Sequence, residues 1–134
     1  MATTDKVVWL DQGWQPVAIG FCPSEAAWDR EAKRWNISAD YPSIAGWGGH
    51  TALFNNSTTH QNIILVTVGR GSERDAMEVI STIVHEAVHV WQFVRQVIGE
   101  DNPGIEMEAY AIQNITENLV DAYCQTQGKG KVWA

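Results

Sequence analysis

Two histidines four residues apart, with a glutamate beside the first, are the residues of this chain best suited to chemistry: His85-Glu86-Ala87-Val88-His89, an H-E-x-x-H motif. On an α-helix, side chains at i and i+4 stand one above the other, so both imidazoles can grip one metal ion from a single rigid element. The glutamate then lies beside the open coordination position, where a water is activated. With four His and nine Glu in 134 residues, the motif arises by chance in on the order of 1% of shuffled sequences. Its surroundings strengthen it: the stretch is helical in pattern, and acidic residues follow downstream.

A zinc hydrolase of this kind needs three protein ligands and one open position. His85 and His89 supply two. The metzincin continuation H-E-x-x-H-x-x-G-x-x-H fails, because Gln92 and Arg95 stand at the required places. The remaining source is a carboxylate from a following helix. Glu106 lies 17 residues after His89 (106 − 89), and Glu108 competes with it, with Asp101 and Asp121 as lesser choices. Glu106 and Glu108 are about 200° apart around a helix, so both cannot point at one metal.

The run Glu106-Met107-Glu108-Ala109-Tyr110 resembles the glutamate helix of gluzincin-type metallopeptidases, where E-x-x-A-D or a close relative follows H-E-x-x-H. In that family the first glutamate is the ligand, so the resemblance implies Glu106 as the third ligand and Zn2+ as the cofactor. The sequence departs at Tyr110, where many members carry an Asp that orients a ligating histidine. A tyrosine there is left with that task or with donating to the transition state. The resemblance covers mainly residues 79 to 114. Including Gln92 and the N-P-x-x-E-x-E-A-Y segment from Asn102, it is similar to small metallopeptidases of bacteria and phages. It implies hydrolysis of peptide or protein substrates, with Glu86 as general base returning its proton to the leaving amine. Tyr110, His60 and Arg95 are the candidate oxyanion donors. It also implies a sheet edge that pairs with extended substrate, Thr51 to Phe54 or Asn62 to Val68. A metal-binding regulatory or interaction protein with little catalysis is the alternative, and Glu86→Gln separates the two.

The elements that must position these residues read as follows. Trp14 to Phe21 is expected as a strand, ended by Pro23, and Ser24 to Trp35 as a helix capped by Ser24. Tyr41 to Gly49 reads as a loop. Thr51 to Phe54 and Asn62 to Val68 read as strands around a connection at 55–59. His50 and His60 flank this hairpin and read as structural. The key helix is expected to begin at Ser72, which has capping-box spacing to Asp75. Its apolar set from Ala76 to Trp91 keeps a 3.6-residue period, and Gly99 stops it. Asn102-Pro103 opens a second helix, running to about Gln125 and ended by Gly128. The tail Lys129 to Ala134 is expected to be loosely held. The pattern predicts an α+β fold: a small mixed or antiparallel sheet packed on the H-E-x-x-H helix, followed by a second, glutamate-bearing helix.

Composition bounds the rest. Hydrophobic residues make up 45% and charged residues 19%, a globular balance in which 134 residues form one domain. Net charge is −7, which argues against nucleic acid as the main partner. The N-terminus lacks a basic start followed by an apolar run, and runs such as Ile63 to Val66 are far too short to span a membrane. A cytoplasmic protein with no membrane partner is therefore expected. Cys22 and Cys124 form no ligand spacing and read as reduced structural thiols. Most of the seven tryptophans read as core filling with the indole N–H at a wet edge. Trp47, in Gly46-Trp47-Gly48-Gly49, is the exception.

Overall fold

Alternation of side chains along short strands creates two apolar faces, and both are covered. The computed structural model describes residues 5–42, 48–56, 58–69 and 75–127. The elements are β1 (Val8–Trp9), β2 (Ala18–Phe21), α1 (Glu25–Trp35), β3 (Gly49–Asn56), β4 (Gln61–Val68), α2 (Ala76–Ile98) and α3 (Ile105–Gln127). The four strands form one mixed sheet in the order β1-β2-β4-β3. The β1–β2 and β3–β4 pairs are antiparallel, and β2 runs parallel to β4. The fold is α+β, with two long helices on one face of the sheet and the short α1 on the other.

Buried Ile64, Val66 and Val68 of β4 point to the long helices, where they meet Ile83, Ala87 and Val90 of α2 and Leu119 of α3. The intervening Ile63 and Leu65 point the other way, onto Ala27 and Trp28 of α1. This period of two is what a strand buried on both faces requires. Four tryptophans are structural: Trp28 donates its indole N–H to the Ala39 carbonyl at 2.9 Å and Trp35 to Glu31 at 2.8 Å. Trp9 meets Trp35 edge-on, and Trp91 is buried in α2. Trp47 and Trp133 lie outside the described residues. Among the described residues, no helix is long and apolar enough to cross a membrane.

Several boundaries differ from the sequence reading. The strand expected as Thr51 to Phe54 runs Gly49–Asn56, because its ladder with β4 continues to Gly49–Val68 at one end and Asn56–Gln61 at the other. The strand expected from Trp14 begins at Ala18, because the Gln15 side-chain amide takes both backbone groups of Val17, at 2.6 and 2.7 Å. Trp14 is left exposed. The two-residue β1 was not foreseen; it pairs through Val8 with Phe21 and Trp9 with Gly20. The cap of α2 is Asp75, which accepts from the Glu78 N–H at 2.9 Å; Ser72 lies outside the described residues, as do Gly128 and the tail. α3 starts at Ile105 rather than beside Asn102-Pro103, and it extends to Gln127. Ser24 caps α1, and Gly99, at φ 74°, closes α2, both as expected.

Cys22 sits beneath α1, and burial pushes its thiol up from the ordinary 9.0 to about 11. Between those values the unfolded chain binds fewer protons than the folded one, so this group lowers stability as pH rises through that window. At about pH 8, native Cys22 is expected to resist a thiol reagent and to react once urea unfolds the chain. Rapid labelling of Cys22 in the native protein, read by mass spectrometry, would contradict this placement.

Candidate metal centre

The histidine pair is a product of helix geometry. α2 buries a stripe through Val79, Ile83, Val90 and Val94 against the sheet, which turns His85 and His89 outward. His85 is exposed and His89 half-buried. Their Nε2 atoms stand 3.2 Å apart, with the rings edge-on at 79°. Two nitrogens bound tetrahedrally to one zinc at about 2.0–2.1 Å stand about 3.3 Å apart, so the pair has the bite a shared ion requires. The next turn supports it. His89 Nδ1 lies 2.9 Å from Gln92 Oε1. An amide oxygen only accepts, so Nδ1 is the donor in this contact, and in the neutral ring that tautomer leaves the lone pair on Nε2.

Glu86 occupies the flank of α2 between the histidines and the sheet and is 4% exposed. Its Oε1 accepts a hydrogen bond from Thr51 Oγ1 at 2.6 Å. Among the described residues Thr51 is its only side-chain partner, and Oε2 has no protein donor. β3 passes directly beneath. A Cβ at Gly49 would stand 3.0 Å from Glu86 Cγ, from Glu86 Oε2 and from the Thr67 carbonyl oxygen. The strand approaches this closely because position 49 carries no side chain. Sequence reading missed both Gly49 and Thr51 as neighbours of Glu86, since the contact joins residues 35 apart and no local pattern signals it.

Among the described residues, the structure does not bring a third ligand to the pair, and no group of three or more His, Cys, Asp or Glu comes together. Glu106 is exposed in the first turn of α3. Glu108 lies 7, 11 and 14 residues before the buried Ile115, Leu119 and Ala122, the spacing of one helix face, so it is Glu108 that turns toward α2. There it accepts from the Trp91 indole N–H at 2.9 Å and pairs with Arg95 at 3.7 Å. Asp121 accepts from Gln125 at 2.9 Å on an exposed turn. Arg95 also donates to the carbonyls of Glu100 and Asp101, at 3.1 and 2.7 Å, which commits it to the α2–α3 connection. Tyr110 is exposed and lines a cleft whose walls include none of His85, Glu86 and His89. His60 holds the β3–β4 connection at φ 59°, its N–H donating to the Asn56 carbonyl at 2.7 Å. His50 lies exposed on β3.

No protein-family model, curated protein or solved structure matches this chain. The resemblance to gluzincins therefore rests on the motifs alone.

Thr51→Val keeps the shape of the side chain and removes the donor to a buried carboxylate. It is expected to cost about 1–3 kcal/mol in urea denaturation at neutral pH. Gly49→Ala crowds the same carboxylate and is expected to cost about 1–3 kcal/mol. Unchanged midpoints for both variants would mean that Glu86 is not held between β3 and α2.

Proposed function

We propose that this protein is a small zinc-dependent peptidase of the gluzincin-like kind. The observation that carries the reading is the 3.2 Å separation of the two Nε2 atoms, with a buried carboxylate one residue after His85 that has Thr51 as its one side-chain partner among the described residues. His85 and His89 would hold the ion. Zinc, when bound, supplies positive charge that polarises a carbonyl and makes water more acidic.

The chain's own residues do the rest. Gln92 keeps the His89 ring in the tautomer that presents Nε2 outward. Thr51 holds Oε1 of Glu86 and leaves Oε2 to take a proton from the attacking water and return it to the leaving amine. The position of β3 supports a peptide substrate, because β3 is an edge of the sheet and its outer backbone groups can pair with an extended chain. Of the two carboxylates in the first turn of α3, Glu108 is committed to Trp91 and Arg95. Glu106 is thus the proposed third ligand, and Tyr110 the proposed oxyanion donor, both on the motif resemblance; their exposed positions in α3 require a rearrangement to reach the pair. The pair's lack of a described third partner favours a second reading, a metal-binding interaction protein with little catalysis.

Protein purified without chelators is expected to carry about one zinc per chain by elemental analysis, and His85→Ala to lose it. Glu86→Gln is expected to keep the zinc and to lose about 10²- to 10⁴-fold in peptide hydrolysis. Retained turnover in Glu86→Gln would remove the general-base role, and absence of zinc uptake by the wild-type chain would remove the metal site. Glu106→Ala, measured by zinc titration against Glu108→Ala, is expected to be the weaker binder of the two. The reverse order would transfer the ligand role to Glu108.

A further inference from the structure

A cleft of about 410 Å3 opens between the loop before β2 and the helices α2 and α3, within the range of about 300–1,000 Å3 usual for small-molecule sites. The H-E-x-x-H residues contribute nothing to it. Its inner wall is apolar, formed by Ile19, Val94 and Ile115 among others. Its rim carries two large exposed rings: Trp14 is 67% exposed and Tyr110 64%. Asn114 and Asn118 stand between wall and rim, one helical turn apart, the Asn118 amide N–H donating to Asn114 Oδ1 at 3.4 Å.

The loop that presents Trp14 is held in place. Asp11 accepts from the Gly13 N–H at 3.2 Å, Gly13 turns at φ 62°, and Gln15 is bound to Val17 on both sides. Trp14 is therefore set outward by its neighbours' hydrogen bonds. This pre-forms the rim and lowers the ordering cost of binding.

Charge narrows the ligand. Among the described residues the lining contains no Lys, Arg or His, and Asp11 is its one carboxylate, so phosphorylated or carboxylated ligands find no counter-charge there. Flat exposed rings beside side-chain carboxamides suit a ring with an apolar face and hydroxyl or amide edges. The apolar inner wall suits a methyl-bearing substituent. We propose that this cleft binds a neutral saccharide, of the acetamido-sugar class, with a sugar face on Trp14 or Tyr110 and its polar edge on Asn114 and Asn118. The cleft shares Tyr110 with the proposed oxyanion role, but its argument rests on the loop, the rings and the carboxamides and does not require a metal.

The probe is tri-N-acetylchitotriose, titrated into the isotope-labelled full chain and followed by backbone amide and tryptophan indole NMR signals. Cellotriose and a neutral apolar tripeptide serve as comparisons. Saturable shifts confined to the loop 10–15 and to α3 around 107–118 are expected, at concentrations of about 1 mM or below. Cellotriose is expected to bind more weakly. Trp14→Ala and Asn114→Ala, both at exposed positions, should each weaken binding about tenfold. No saturable shift with chitotriose, equal binding by both variants and wild type, or tighter binding of the tripeptide at the same signals would each overturn the proposal.

Discussion

A carboxylate taken out of water needs donors, because an uncompensated buried charge costs several kcal/mol. Glu86 meets that demand through Thr51 of β3, and the rest of the site depends on how this is done. β3 has to run directly under α2, which requires the missing side chain at Gly49. β3 is held there by eight paired positions with β4, and β4 is anchored by burial on both faces. The buried carboxylate therefore fixes where β3 meets α2, while the apolar stripe through Val79, Ile83, Val90 and Val94 sets the rotation of the helix. At that rotation His85 and His89 face outward with their nitrogens converging.

The α2–α3 hairpin is organised by a second polar arrangement. Gly99 ends α2 in the left-handed conformation, its own N–H returning to the Gln96 carbonyl and the Glu100 N–H to that of Arg95. Arg95 then reaches forward to the connecting segment and to Glu108, which also receives the Trp91 indole. These contacts fix the rotation of α3. They place Glu108 inward and leave Glu106 and Tyr110 on accessible faces. The same rotation brings Tyr110 and Asn114 to the cleft beside the loop that carries Trp14. Two separate chemical surfaces thus arise from one helix pair: nitrogen donors on the sheet-edge flank of α2, and rings with carboxamides along α3.

The sequence by itself determined whatever depends on near neighbours along the chain. The period of apolar residues marked α2, and Ser24 and Gly99 marked helix ends by capping chemistry. The i, i+4 spacing of His85 and His89 ensured that the two rings would meet wherever the helix lay. The stretch around Trp14 misled, because a run of strand-like residues carries no sign that a glutamine amide will occupy the backbone groups of Val17.

Only the tertiary structure decided what comes from elsewhere in the chain. Thr51 and Gly49 became neighbours of Glu86 through strand pairing. The choice between Glu106 and Glu108 as the inward carboxylate followed from how α3 rotates against Trp91 and Arg95. Periodicity specifies which residues share a face. It does not specify what that face meets, because the energy that settles it is packing and hydrogen bonding between segments tens of residues apart.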